Sequence, residues 1–254
     1  FETFFAGLKP AHPDYAALRN AFNAEADPAR RLTIARNMER WRWLPRELGP
    51  NHVLVNVPAF EVYLRRSGEA EQTWRAVVGK KATPTPQLAA SITAVTFNPW
   101  WDVPVSIVRE GGSFSPRRGY IRTKRGHVRQ KPGPFNSLGQ MKVEMANSHA
   151  IYLHDTPSKG LFGAASRAYS HGCVRVGDPL TLAATLLEGV RSRDDIDILV
   201  GNKKPRDEDR RISRAPPAPK PGGPPPVKTA TVKLPAALPV YVAYFTAAPR
   251  ADGT

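Results

Sequence analysis

The period of the apolar positions changes near residue 50, and the change divides the chain. Residues 13–22 are rich in Ala and Leu, and Asp27-Pro28 offers an N-cap followed by proline at the first helical position. Leu32, Ala35, Met38 and Trp41 then recur at helical spacing, so Trp41 and Trp43 are expected to pack this helix on the domain that follows. Residues 1–45 read as a helical segment too small to stand alone. From Asn51 the period drops to two. Val53, Val55 and Val57 alternate, Phe60, Val62 and Leu64 follow, and beyond a Ser67-Gly68 turn Trp74, Ala76 and Val78 form a return strand. Residues 91–97 read as a further strand, and proline and glycine from Pro84 to Pro134 predict long loops.

Residues 203–227 break the pattern with a charged run and then a Pro-rich stretch, which reads as a disordered or polyproline II insertion. Thr231 to Leu234 and Val240, Val242 and Tyr244 resume the strand pattern, so the insertion interrupts one domain over residues 51–254. The expected fold is mainly β with some α.

Composition narrows the chemistry. With 41% apolar residues the 254-residue chain can bury a core, and no apolar run reaches the 18 residues a membrane-spanning helix needs. It opens Phe1-Glu2-Thr3 with no signal-peptide pattern, so its compartment cannot be read from a targeting segment. The net charge of +15, from 37 basic against 22 acidic side chains, would draw polyanions. The cations are scattered without a nucleic-acid recognition motif, so no specific nucleic acid is expected.

One cysteine, Cys173, excludes an internal disulfide and a cysteine-rich metal site. A lone thiol is more often core filler than nucleophile. Its neighbours reverse that reading. Tyr169-Ser170-His171-Gly172-Cys173-Val174-Arg175-Val176 is preceded by Ile151-Tyr152-Leu153-His154-Asp155. A thiol with an ordinary pKa near 8.5 needs an imidazole or another positive element to act as a nucleophile at neutral pH. His171, two residues before Cys173, lies on the same face of an extended segment but along the chain, where it could brace the loop or act directly. His154 ends a strand-like run over residues 150–153, and the 18 intervening residues can fold out and return Cys173 beside it, which makes His154 the expected base. Gly172 permits a tight turn with backbone N–H donors for an oxyanion. Tyr152 could donate to the oxyanion or simply pack, and Ser170 reads as a polar turn residue. Asp178-Pro179 reads as an N-cap and first helical residue before an apolar face of Leu180, Ala183, Leu186 and Leu187 that ends at Gly189. Zinc held by His149, His154, His171 and Cys173 is disfavoured, because His149 and His154 would face opposite sides of a strand. No metal or other cofactor is expected.

Ser170-His171-Gly172-Cys173 with a histidine at the His154 distance resembles the signature of the YkuD-type L,D-transpeptidases of bacterial cell walls. Pro132-Gly133-Pro134, Asn136-Ser137-Leu138-Gly139 and Tyr152-Leu153-His154-Asp155-Thr156-Pro157 are similar to the larger Gram-negative subgroup. The likeness covers residues 51–200, and residues 239–246 resemble that subgroup's last strand. It implies a YkuD-like β-sandwich or mixed-sheet catalytic domain, with residues 1–45 as the tail of an N-terminal scaffold. It also implies a thioester on Cys173, formed at the L-centre carbonyl of meso-diaminopimelate in a tetrapeptide stem with release of D-Ala. An amine of a second stem would then make a 3-3 cross-link. Water as acceptor would make an L,D-carboxypeptidase, and a lipoprotein acceptor an attaching enzyme. Arg175 stands where many members carry Asn and is the candidate carboxylate clamp. Asn136 and Trp101 are the other expected substrate-binding residues. The stretch from Trp100-Trp101 through Lys131 is shorter than the subgroup's usual capping segment. Peptidoglycan stem peptides and carbapenem-type inhibitors are the implied partners, with a periplasmic, wall-associated monomer. The rival reading, a non-enzymatic basic wall or nucleic-acid binding protein, explains the charge but not the motif.

Overall fold

The computed structural model describes residues 7, 9–67, 72–204 and 228–248. Its centre is a nine-stranded mixed sheet built from β1 (His52–Asn56), β2 (Glu61–Arg65), β3 (Gln72–Gly79), β4 (Leu88–Phe97), β8 (Met141–Met145), β9 (Leu153–His154), β10 (Ala168–Ser170), β11 (Val174–Val176) and β12 (Ala230–Ala243). The order is β10-β3-β11-β9-β8-β4-β12-β1-β2, and β2 also pairs with β3, so the sheet closes on itself. The fold is therefore mainly β with mixed pairing and a few helices, as expected from the pattern. The hairpin read from Phe60 to Val78 is present, with Val62 opposite Trp74. Alternate residues of these strands point inward, and Val53, Val55, Val62, Ile92, Val95, Phe97 and Val143 are fully buried in one core.

β12 spans the whole last strand segment. It runs antiparallel to β4 and parallel to β1, which it joins through Val240 to Ala243. Its register against β4 shifts between Lys233 and Leu238. Pro235 falls in that shift, where its missing N–H costs no ladder hydrogen bond. Residues 205–227, which hold most of the expected Pro-rich insertion, lie outside the described residues.

Two helices precede the sheet, α1 (Pro13–Ala24) and α2 (Pro28–Arg42). Asp27 caps α2 by accepting the Arg30 N–H at 2.7 Å, and proline opens each first turn. Tyr15, Leu18, Trp41, Leu44 and Leu48 bury themselves against Tyr241, Ala243 and Phe245, which fastens the helices to the end of β12. Trp41 stacks on His12 at 4.3 Å and on Phe245 at 4.4 Å. The expected face of α2 needs correcting in two places. Leu32 and Trp43 are exposed, the latter at the helix C-cap, whereas Asn37 is fully buried. Asn37 donates to Thr246 Oγ1 and accepts the Thr246 N–H at 2.8 Å, a partner 209 residues away that helical periodicity cannot reveal.

Residues 101–131 form a small cap in place of the expected long loops. β5 (Trp101–Asp102), β6 (Tyr120–Arg122) and β7 (Val128–Gln130) make a separate three-stranded sheet, and α3 (Val105–Arg109) packs with it around Val103, Tyr120 and Val128. Beyond β11, α4 (Pro179–Leu186) buries Leu180, Ala183 and Leu186 as predicted. Asp178 precedes it in a left-handed conformation and makes no side-chain cap; its carboxylate faces Arg193 at 3.9 Å instead. α5 (Arg193–Leu199) follows with a Ser192–Asp195 capping box. None of the helices among the described residues is long and apolar enough to cross a membrane.

Because Trp41 is buried between two rings and Trp43 is exposed, Trp41→Ala should destabilise the protein by roughly 3–5 kcal/mol, and Trp43→Ala by less than about 0.5 kcal/mol. Urea unfolding of the two variants checks the difference.

Candidate active site

The site is built by one parallel pairing. β9 and β11 lie side by side with Val174 opposite Leu153 and Arg175 opposite His154, and Val174 N–H donates to the Tyr152 carbonyl at 3.1 Å. Side chains alternate along such segments, so Leu153, Val174 and Val176 enter the core. Tyr152, His154, Cys173 and Arg175 take the opposite face and line a cavity of about 350 Å³. The cap supplies its other wall through Trp101, Pro104, Ser106 and Ile107, with Ser137 and Leu138 beside them.

The turn before Cys173 is held by hydrogen bonds to side chains. Gly172 has φ +116, and a Cβ there would come within 3.1 Å of Ile151 Cδ1. Ser170 Oγ donates to the Cys173 carbonyl at 2.6 Å and accepts the Gly172 N–H at 3.1 Å. Thr85 Oγ1 donates to the Gly172 carbonyl at 2.8 Å. Both backbone groups of Gly172 are thus occupied within the turn, so its own N–H is not the one left for an oxyanion. Ser170, buried and engaged twice, is the brace of the turn.

Cys173 is partly exposed and is the protein's single cysteine. Burial pushes its thiol up from the ordinary value, opposed by hydrogen bonds from the Tyr152 backbone and hydroxyl and by the charges of Arg175 and Lys142. Tyr152 is raised in turn, first by burial and then by the charge on Cys173, while the Trp101 side chain hydrogen-bonds its hydroxyl. Trp101 and the Tyr152 hydroxyl thus stand together beside the sulfur.

His154 is buried, and its pKa is lowered to about 3, first by burial and then by Arg175. Its Nδ1 hydrogen-bonds the Asp155 carbonyl. A carbonyl only accepts, so Nδ1 carries the proton and Nε2 is left as the acceptor. No hydrogen bond joins His154 and Cys173 among the described residues. The Tyr152 ring stands edge-on to the imidazole at 5.6 Å.

Asp155, which sequence reasoning quoted without a role, fixes this orientation. Its carboxylate accepts the Thr156 N–H at 2.6 Å and the Gln140 N–H at 2.8 Å, and pairs with Lys159. Gly139, with φ +60, leaves room for that carboxylate, since a Cβ there would lie 2.2 Å from Asp155 Oδ2. The signal was an acid directly after the candidate histidine. His171 lines the cavity but turns its Nε2 to Glu110 at 2.9 Å, with Lys80 Nζ at 3.3 Å. It ties the loop of Cys173 to the end of α3. Glu110 was missed, although it is the only acid between Asp102 and Glu144 in a strongly basic stretch.

Two further expectations are corrected. Asn136 is buried outside the cavity, where its side chain donates to the Pro99 and Lys131 carbonyls, both at 2.9 Å, and accepts the Leu138 N–H at 2.8 Å. It organises a loop, and both hydrogens of its side-chain amide are engaged there. His149 lies on a turn, its N–H bound to Asn147 Oδ1, and lines the same cavity as His154 instead of the opposite face of a strand. Among the described residues no group of three or more His, Cys, Asp or Glu is placed to hold a metal ion.

The sequence profile of the YkuD family, the L,D-transpeptidase catalytic domain, matches residues 50–198. The chain belongs to the YkuD family. A Haemophilus influenzae protein provisionally named as an L,D-transpeptidase is 31% identical over 183 residues, which make up 61% of this chain and 37% of that protein. The chain thus spans little more than a third of the length of that relative. Among solved structures, Mycobacterium tuberculosis L,D-transpeptidase 1 is 15% identical, with 76% of this chain and 60% of that chain covered and a TM-score of 0.31. L,D-transpeptidase 3 from the same organism, solved with a faropenem-derived adduct, is 13% identical, with 76% and 60% covered and a TM-score of 0.34.

The electrostatics of this YkuD domain set two pH dependences. The folded state keeps His154 neutral down to about pH 3 and His12 down to about pH 4. Unfolded imidazoles take up their protons near pH 6.5, so the unfolded chain binds more protons below that pH and stability must fall on acidification. The thermal midpoint should decline steadily from pH 6.5 towards pH 4, and the decline should be shallower in His12→Asn. The second dependence concerns the thiol. The pH profile of iodoacetamide alkylation, read by intact mass, should place its titration above the ordinary cysteine range. Tyr152→Phe, which removes a hydrogen bond to the thiolate, should move it higher still.

Proposed function

We propose that this YkuD domain is a peptidoglycan L,D-transpeptidase in which Cys173 is the nucleophile and His154 the proton acceptor. The observation that supports this best is the shared face of β9 and β11. It gathers a thiol, a neutral imidazole with Nε2 unprotonated, a phenol and a guanidinium in one cavity. The resting pair is thiol and imidazole rather than thiolate and imidazolium, because burial disfavours the charged form of each. Proton transfer then accompanies attack.

In the first step Sγ bonds to the L-centre carbonyl carbon of meso-diaminopimelate in a tetrapeptide stem. The thiol proton passes to His154 Nε2 and on to the departing amine as the C–N bond to D-Ala breaks. Trp101 holds the Tyr152 hydroxyl where it can donate to the oxyanion. In the second step an amine of another stem attacks the thioester, the C–S bond breaks and Sγ regains its proton through His154. The product is a 3-3 cross-link. His171 acts through position, holding the cap beside Cys173 through Glu110. The net charge of +15 suits the anionic surroundings of a cell wall, and the periplasmic face of the wall is the proposed site of action.

Imipenem should add covalently to the wild type, visible as a single mass increment, and Cys173→Ala should abolish the adduct. A folded wild type whose mass stays unchanged would sink the thiol chemistry. Incubation with tetrapeptide-rich sacculi should yield 3-3 dimers; tripeptides without dimers would assign the acceptor as water.

A further inference from the structure

The cavity contains a cation without an anion. Arg175 lies on β11, two residues beyond Cys173 and opposite His154, and its side chain lines the same cavity. Its Nε is buried and has no hydrogen-bond partner among the described residues. Among the described residues no Asp or Glu lines the cavity, and Glu110 at the end of α3 is already engaged by His171 and Lys80. A buried guanidinium donor left unpaired carries the full penalty of its lost hydration, and a planar fork of N–H groups matches a carboxylate with two parallel hydrogen bonds. Burial lowers the Arg175 pKa, so its charge is held here at a cost that no protein carboxylate offsets.

Building on the acyl-transfer reading above, we infer that Arg175 is the subsite for the free α-carboxylate of the residue that departs from the acyl donor. The spacing suits this. Two residues along a strand cover about 6–7 Å. From the attacked carbonyl carbon to the carboxylate carbon of the next residue is at most about 3.7 Å, so a single residue beyond the attacked carbonyl reaches from the sulfur towards the guanidinium, whose longer side chain covers the rest. A donor with a free C-terminus meets Arg175 with its carboxylate. A donor whose chain continues, or ends in an amide, presents a neutral group and leaves the guanidinium unpaired. Arg175 thereby selects the last peptide bond of a stem over internal bonds. The carboxylate leaves with the released amino acid, so the acyl-enzyme vacates the subsite for the acceptor.

The test compares two soluble donors, an N-acetylated tetrapeptide stem ending in D-Ala and the same peptide ending in D-alaninamide, with release of the terminal residue followed by chromatography. Wild type should favour the free acid by about 10- to 100-fold in kcat/KM, the worth of one or two charge-assisted hydrogen bonds. Arg175→Gln should erase the preference by lowering the free acid to the level of the amide, and Arg175→Lys should restore part of it. Equal use of acid and amide by the wild type would overturn the subsite, even if the variants fail to fold. An Arg175→Gln protein that loses both donors equally and shifts the pH profile of Cys173 alkylation would also overturn it, assigning Arg175 to the thiolate instead. A wild type that alkylates normally but releases nothing from either donor would remove the acyl-transfer reading and the subsite together.

Discussion

The register between β9 and β11 is the constraint on which the chemistry of this molecule depends. Because side chains alternate, a slip of one residue would turn His154 and Cys173 into the apolar core and Leu153 and Val174 towards the cavity. Burial of Leu153, Val174 and Val176 in the common core makes that slip unfavourable. The apolar half of the segment therefore positions the reactive half, and core packing and site geometry are two faces of one strand pairing.

Burial then sets the charge state. It holds His154 neutral, keeps Cys173 protonated and leaves Arg175 the cation of a cavity without acids. The groups that offset this are specific: Tyr152 for the sulfur, the Asp155 carbonyl for the imidazole, Glu110 and Lys80 for His171 at the cap. Tyr152 and the Asp155 carbonyl flank β9, but Lys80 follows β3 and Glu110 ends α3, so the cap side of the site is oriented by tertiary contacts.

That distinction explains what the sequence could and could not disclose. The strands of the closed sheet were legible because period-two alternation is a local pattern, and Cys173 and His154 stood out because a glycine turn and a histidine at a workable distance are local too. Asn136 and Trp43 misled, and Asn37 gave no signal, because their fates rest on partners elsewhere: the Pro99 and Lys131 carbonyls for Asn136, Thr246 for Asn37, and for Trp43 the end of a helix whose apolar stripe is narrower than its residues suggest. At Gly172 the glycine itself signals an unusual backbone, but the occupation of its N–H by Ser170 depends on side-chain rotamers that no spacing encodes. His149 shows the opposite failure, a strand assumed to continue where the chain turns.

β12 has a consequence for assembly. It is the last strand among the described residues, yet it lies between β4 and β1, both formed by the first hundred residues, and it also carries the anchor of the N-terminal helices. Such long-range pairings are slow to form because a large loop must close before any contact compensates for it. The closed sheet on which the thiol stands stays open until this strand inserts, so the early strands present unpaired edges in the meantime. Competence of the site is thus a late event in folding, timed by a strand that contributes no residue to the cavity.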